Sequence, residues 1–184
     1  GSGKTLSAIC SVLARAVDHP GGAIVILCPA KARRGWEDEF LKWSWLQPYR
    51  MKPQSAMRKS DQTLESYLAS VERPVVIFGM ELLSDHVETI SELNPVVLVI
   101  DEIHRVANPK RWAVRIDRRS GQHEFTGRQT AGTTGRASSR EVRSYAAMRV
   151  SQLPSLRHRL GLTATPQGEG LSNTWGVFDL LAPL

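Results

Sequence analysis

The chain has 184 residues, of which 41% are hydrophobic and 23% charged, and its formal net charge is +6. This length and composition are typical of one globular domain with a real core. No segment approaches the roughly 20 apolar residues of a membrane span, and no signal segment begins the chain. We therefore expect no membrane partner and an intracellular protein, either cytoplasmic or nuclear, or in the host cell if its source is a phage or virus.

The chain begins with Gly1-Ser2-Gly3-Lys4-Thr5, which is typical of the end of a phosphate-binding loop. Backbone N–H groups of such a loop wrap phosphate oxygens at the positive end of the following helix. Lys4 would reach the terminal phosphates, and the Thr5 hydroxyl would ligate Mg²⁺. We predict that these five residues bind ATP. The first glycine of the full motif would precede the chain, so we also expect an N-terminal truncation.

Helix-like and strand-like segments alternate along the rest of the sequence. Apolar residues at helical spacing predict helices over residues 6–17, 33–45, 61–69, 80–93, 140–152 and 171–181. Continuous apolar runs predict strands at residues 23–27, 75–78, 96–100 and 159–162. This alternation predicts an α/β fold, with a mostly parallel sheet, helices on both faces, and ligand sites at the carboxyl ends of the strands.

The third predicted strand runs directly into Asp101-Glu102-Ile103-His104. Two carboxylates at the end of an apolar strand fit phosphoryl transfer, which needs positioning and charge neutralisation. Asp101 would hold Mg²⁺ through water, and Glu102 would polarise the attacking water. Together with Lys4, they are the predicted catalytic residues of an ATPase.

Cysteine and tryptophan side chains give weaker signals. Cys10 and Cys28 form no metal-binding or redox motif, and we predict that both are small buried residues. Trp36, Trp43 and Trp45 could stack on nucleic-acid bases. Their nearly helical spacing favours the alternative, in which all three belong to the core.

The positive charge is concentrated in one stretch. Residues 110–143 contain nine Lys or Arg and three Asp or Glu, a net charge of +6, so the remainder is about neutral. Such a stretch is typical of a phosphate-backbone contact, although a solvated loop is the alternative. Residues 117–139 are rich in Gly, Ser and Thr, and we expect a basic, flexible surface insertion at about 111–139 within a single domain of residues 1–184.

The ordered set of motifs resembles lobe 1, the RecA-like ATP-binding half, of superfamily 2 helicases and translocases, most closely the Swi/Snf-type ATPases. The residues that carry the resemblance are GSGKT at 1–5, Ile26-Leu27-Cys28-Pro29-Ala30 with Trp36, Glu39, Lys42 and Trp43, Val75 to Glu81, Asp101-Glu102-Ile103-His104-Arg105 with Asn108-Pro109-Lys110, Leu162-Thr163-Ala164-Thr165-Pro166, and Asn173, Trp175, Phe178, Leu181 and Pro183. It covers nearly the whole chain and implies a RecA-like P-loop NTPase domain.

The resemblance implies further roles. His104 would link the DEIH segment to Thr163 and Thr165, so that the nucleotide state changes the nucleic-acid surface. The expected nucleic-acid contacts, including the first two residues of the basic stretch, are Pro29, Ala30, Lys31, Gly79, Met80, Lys110 and Arg111.

The resemblance also implies the function of the parent protein. It would be an ATP-dependent translocase on nucleic acid, with double-stranded DNA as the expected substrate. A second RecA-like lobe, absent from this chain, would supply an arginine to the phosphoryl group. Ala164 and Gln167-Gly168 depart from the Swi/Snf pattern, so a strand-separating helicase of the phage or restriction type stays open. A non-catalytic nucleic-acid-binding module is the third alternative.

Overall fold

The computed structural model describes residues 3–52, 56–58, 60–107, 114–116, 123–125, 139–164 and 171–182. Six α-helices and seven strands occur in these ranges. The helices are α1 (Lys4–Ala16), α2 (Arg33–Trp43), α3 (Leu64–Ser70), α4 (Val87–Glu92), α5 (Ser139–Ser151) and α6 (Leu171–Leu181). The strands are β1 (Ala23–Cys28), β2 (Pro48–Arg50), β3 (Val75–Gly79), β4 (Pro95–Asp101), β5 (Val114–Ile116), β6 (His123–Phe125) and β7 (His158–Leu162).

Five of these strands form one sheet in the order β2-β3-β1-β4-β7, and every neighbouring pair is parallel. The central strand β1 is buried along its whole length, which explains its continuous apolar sequence. The predicted parallel α/β sheet is therefore confirmed. Strands β5 and β6 pair separately as an antiparallel hairpin.

Alternate residues of each central strand face opposite layers of helices. On one face, Ile24 and Ile26 of β1 pack with Ile9 of α1 and with Trp36 and Phe40 of α2. The other face is covered by α3, α4, α5, α6 and the 3₁₀ segment Met80–His86, whose apolar residues pack around those of β1, β3 and β4. The core thus has two layers that share one sheet, as the alternating sequence predicts.

The predicted elements are largely confirmed, with three differences. The short edge strand β2 was not predicted, because three residues that include a proline give almost no periodic signal. The predicted helix 80–93 is a 3₁₀ segment, Met80–His86, followed by α4. The predicted insertion contains the hairpin of β5 and β6, whereas most of residues 111–139 lie outside the described ranges.

Three side chains expected in the core are exposed. Trp43 is 47% and Trp45 75% exposed, whereas Trp36 is buried as expected. The Trp43 indole N–H donates to Glu39, and α2 ends at Trp43, so Trp45 no longer follows the helical spacing. Cys10 is also exposed, because α1 turns Ala8, Ile9 and Val12 towards the sheet.

No helix in the described ranges combines the length and the apolar character needed to cross a bilayer.

Candidate nucleotide-binding site

The carboxyl ends of the strands meet along one edge of the sheet. Cys28, the last residue of β1, pairs with Gly79 at the end of β3. Asp101, the last residue of β4, pairs with Leu162 at the end of β7. The polar segments that follow these strands therefore lie side by side, as expected from the parallel topology.

The phosphate-loop segment turns into α1 at Gly3. Gly3 has φ 70° and ψ 7°, a left-handed conformation that glycine adopts without strain, and its carbonyl accepts the first helical hydrogen bond, from Ser7 N–H, at 3.0 Å. Lys4 and Thr5 are the first two residues of the helix. Their backbone N–H groups are at the positive end of a 13-residue helix, the arrangement that suits phosphate oxygens. Gly1 and Ser2 lie outside the described residues.

Glu102 directly follows β4 and has an unusual backbone conformation. Its φ of 50° and ψ of 47° are left-handed, a conformation that costs a non-glycine residue about 1–2 kcal/mol. This backbone conformation directs the Glu102 side chain between two basic groups. Glu102 Oε1 is 3.9 Å from Lys4 Nζ, and Oε2 is 3.4 Å from His104 Nδ1. The left-handed residue after β4 thus brings the predicted catalytic carboxylate to the phosphate-loop lysine.

His104 joins the ends of β4 and β7. Its Nδ1 lies 2.9 Å from Thr163 Oγ1, within hydrogen-bond distance, in a partly buried position. The predicted pair of His104 and Thr163 is therefore in contact. The second predicted partner, Thr165, lies outside the described residues.

Asp101 has a hydrogen-bond donor on each carboxylate oxygen. Oδ2 accepts from the Trp36 indole N–H at 3.0 Å, and Oδ1 accepts from the Glu102 backbone N–H at 3.0 Å. Burial raises the pKa of the neighbouring Cys28 thiol to about 12, and the Asp101 charge contributes. Cys28 is consequently a neutral, unreactive thiol under the site. From the sequence, Trp36 was expected in the core, with base stacking as the alternative, and its contact with Asp101 was missed.

A cavity of about 520 Å³ lies between the phosphate-loop segment and α2. It is lined by Gly3, Lys4, Thr5, Leu6, Ala32, Gly35, Trp36, Asp38, Glu39 and Asp101. The phosphate-loop segment forms one wall, and α2 with Asp101 forms the other. The predicted metal ligands Thr5 and Asp101 thus face a common space.

The loop after β1 is tied to the end of β3. The Ala30 backbone N–H donates to Glu81 Oε2 at 2.9 Å, and the Ala30 carbonyl accepts from Arg33 Nε at 3.3 Å. Arg33 also donates to the Met51 carbonyl just after β2. A side chain at Gly79 would contact both Arg33 and Glu81. Arg33 was not predicted to have a role, and Glu81 was named only as the last residue of the segment 75–81, so their contacts with the loop after β1 were missed.

The predicted nucleic-acid contacts differ in their accessibility. Lys31 is exposed, and Pro29 and Ala30 are half-buried. Met80 is only 3% exposed and its side chain packs in the core, so it could present only backbone atoms to a ligand. Gly79 is buried as well. Lys110 and Arg111 lie outside the described residues.

The fold and this edge define a RecA-like α/β nucleotide-binding domain. A sequence profile of the SNF2-related domain matches residues 1–117, which is more than half of the chain. The chain therefore belongs to the SNF2-related domain family, and the resemblance to Swi/Snf-type ATPases is confirmed.

The chain is also similar to two known proteins. It is 26% identical over 121 residues to the DNA repair protein rhp54 of Schizosaccharomyces pombe, a match that covers 59% of this chain and 14% of that protein. The solved structure of the Sulfolobus solfataricus SWI2/SNF2 ATPase core in complex with dsDNA matches with a TM-score of 0.58 and 18% identity, over 100% of this chain and 30% of that one. The structural match supports the fold, and the chain spans less than a third of either relative.

Proposed function

We propose that this chain is the ATP-binding lobe of an ATP-dependent double-stranded DNA translocase, which hydrolyses ATP to ADP and phosphate. The observation that carries the proposal is the series of contacts from Lys4 through Glu102 and His104 to Thr163. It joins a phosphate-binding helix start to the ends of two neighbouring strands. A sheet edge with only a structural role would not require a lysine, a strained glutamate and a histidine in successive contact.

The phosphate groups of ATP would bind at the start of α1. Lys4 supplies a point charge, and the helix N-terminus supplies oriented N–H groups. Gly1 and Ser2 would extend this loop around the phosphates. Lys4 already stands beside Glu102, so a phosphate chain held by Lys4 would reach the carboxylate that acts on water.

Glu102 would orient and deprotonate the attacking water. Phosphoryl transfer gains most from positioning and from charge stabilisation, and a carboxylate beside the phosphates can provide the first. His104 and Lys4, on either side of Glu102, restrict the directions in which its carboxylate can point. The left-handed backbone at Glu102 holds the side chain at the strand end.

The residues present fit Mg²⁺ as a cofactor. Thr5 and Asp101 offer oxygen ligands, which Mg²⁺ prefers, to one cavity. Within the described ranges, no group of three or more His, Cys, Asp or Glu side chains could hold a metal ion. A site made of one hydroxyl, one carboxylate and the nucleotide phosphates matches the usual binding of Mg²⁺. The ion would neutralise phosphate charge.

Nucleic acid would bind at the edge formed by the loops after β1 and β3. Lys31 is exposed there, and Pro29, Ala30, Gly79 and Met80 would contribute backbone or small contacts. Lys110 and Arg111 would extend the contact into the basic stretch. His104, with Thr163 and Thr165, would transmit the nucleotide state to this edge. Double-stranded DNA is favoured over RNA because one relative is named a DNA repair protein and the other was solved with dsDNA.

A second RecA-like lobe in the full-length protein would complete the site. In phosphoryl transfer an arginine from a neighbouring domain can contribute a factor of about 10³–10⁵ in rate. We expect residues 1–184 to act as one lobe that binds ATP weakly and turns it over slowly without that contribution.

ATP turnover by the full-length protein, measured with and without nucleic acid, tests this function. We expect strong stimulation by double-stranded DNA, weaker stimulation by single strands or RNA, and no strand displacement from a duplex with a single-stranded tail. Equal turnover with and without DNA would contradict the proposal. Efficient strand displacement would favour the helicase alternative instead.

A further inference from the structure

We propose that Trp36 is a positioning residue for Asp101, and that its indole N–H sets the orientation in which this carboxylate receives a hydrated Mg²⁺. The inference rests on the proposed nucleotide site. It adds to that site a residue that belongs neither to the phosphate-loop segment nor to the Asp101-Glu102 segment. Trp36 lies on α2, 65 residues before Asp101 in the chain.

Two donors fix the plane of the Asp101 carboxylate. The indole N–H of Trp36 donates to Oδ2, and the backbone N–H of Glu102 donates to Oδ1. Each donor nitrogen lies 3.0 Å from its acceptor oxygen. A carboxylate has about four lone-pair directions, so each oxygen keeps one for water or a metal. Loss of either donor would free the carboxylate to rotate. Only proline would remove the backbone donor, and its fixed negative φ does not fit the φ of 50° at Glu102, whereas the indole donor can be removed without a change of backbone.

The ring of Trp36 cannot easily follow a rotating carboxylate. Trp36 is 2% exposed and packs with Phe40 and the apolar residues of β1 and β4. Its ring centroid lies 6.3 Å from that of Phe40. The N–H is therefore presented from a rigid wall of the cavity that Thr5 and Lys4 also line. Rigid support of a ligand is what metal sites require beyond the ligands themselves.

A second indole on the same helix provides a matched comparison. The Trp43 indole N–H also donates to a carboxylate, Glu39 Oε2, at 2.7 Å. Trp43 is 47% exposed, and its acceptor is not one of the proposed metal ligands. Trp36→Phe and Trp43→Phe therefore make the same chemical change, namely replacement of the indole and its N–H by a smaller aromatic ring without a polar donor. Only Trp36→Phe should change the Mg²⁺ dependence of nucleotide binding.

The test measures binding of a fluorescent ATP analogue to the full-length protein over a range of Mg²⁺ concentrations and in EDTA. For Trp36→Phe we expect the Mg²⁺ concentration at half-saturation to rise about 10-fold, the lower end of the range for residues that support a metal ligand. Affinity in EDTA should not change. Trp43→Phe should match the wild type in both conditions. In an Asp101→Asn background, Trp36→Phe should add no further change, because the residue acts through Asp101.

An unchanged Mg²⁺ dependence in Trp36→Phe would overturn the inference while leaving nucleotide binding, and hence the proposed function, intact. If the wild type does not bind the analogue either with Mg²⁺ or in EDTA, the proposed nucleotide site is wrong, and this inference is wrong with it. If Trp36→Phe does not fold, the Trp36 indole ¹H–¹⁵N resonance gives a second measurement. It should shift in Asp101→Asn more than the Trp43 resonance, and an equal shift would refute the contact.

Discussion

The imidazole Nδ1 of His104 lies 2.9 Å from the hydroxyl oxygen of Thr163 and 3.4 Å from Glu102 Oε2. One side chain thus contacts both the proposed catalytic carboxylate and the segment that follows β7. Because β7 is the neighbour of β4 in the sheet, a change at Glu102 can reach the end of β7 through a single residue. This contact is the basis for the first expected outcome.

Thr163→Val should weaken the stimulation of ATP turnover by double-stranded DNA. The change removes the hydroxyl but keeps the shape, and a hydrogen bond is worth about 1 kcal/mol net. We expect the stimulation of ATPase activity by double-stranded DNA to fall about fivefold, the factor that 1 kcal/mol represents. Affinity for the ATP analogue should not change. Thr163→Ser, which keeps the hydroxyl, is the control, and equal stimulation in both variants would argue against the coupling role.

Gly22→Ala should destabilise the fold at the start of β1. A Cβ at this position would lie 2.5 and 2.6 Å from the two γ-carbons of Val96. Val96 is β-branched and stiff, so the backbone would have to shift, at a cost of about 1–3 kcal/mol in the free energy of unfolding. Gly35→Ala is the matched control in α2, where a Cβ meets no atom within 4 Å. It should stabilise by about 0.5–1 kcal/mol.

Chemical unfolding of both glycine variants, followed by circular dichroism, measures these differences. A Gly22→Ala variant as stable as the wild type would contradict the close approach of Gly22 to Val96 of β4.

Stability should decrease in mild acid because of His158. Burial lowers the pKa of this ring below its ordinary value of 6.5, and the positive charges of Arg15 and His19 lower it further, against the opposite effect of Asp18. Since the folded pKa is the lower one, the unfolded chain binds a proton first as the pH falls. The free energy of unfolding is therefore undiminished above the unfolded pKa and declines as the pH falls below it, until the folded ring is protonated too.

His158→Gln removes this titration. Between about pH 7 and pH 5, the variant should lose less stability than the wild type. Urea unfolding at the two pH values measures the difference. Identical losses in the two proteins would place the pH dependence in another group.

Strands β1, β3, β4 and β7 and their functional ends could be located from the sequence, for physical reasons. Strands buried on both faces, such as β1, are continuous apolar runs, and polar motifs at their ends stand out against them. The order of the strands could not be read in this way, because it depends on contacts between segments far apart in the chain. The contacts of Lys4, His104 and Thr163 with their partners likewise appear only after the sheet is assembled.

The tryptophans illustrate the limit of periodicity. Trp36 and Trp43 share one face of the α2 pattern, yet the first is buried against Asp101 and the second is exposed beside Glu39. Hydrophobic spacing does not say where a helix ends or which carboxylate an indole will meet. The positive φ of Glu102 was equally invisible, since nothing in an Asp-Glu pair distinguishes a left-handed residue from a helical one.

The most direct measurement is the affinity for a fluorescent ATP analogue with Mg²⁺ of the wild type, Lys4→Ala and Glu102→Gln. Lys4 binds phosphate in the proposed site, whereas Glu102 acts on water. We therefore expect Lys4→Ala to lose binding and Glu102→Gln to keep the wild-type affinity while losing ATP turnover. Binding by Lys4→Ala at the wild-type affinity would contradict the assignment of this edge of the sheet as the nucleotide site.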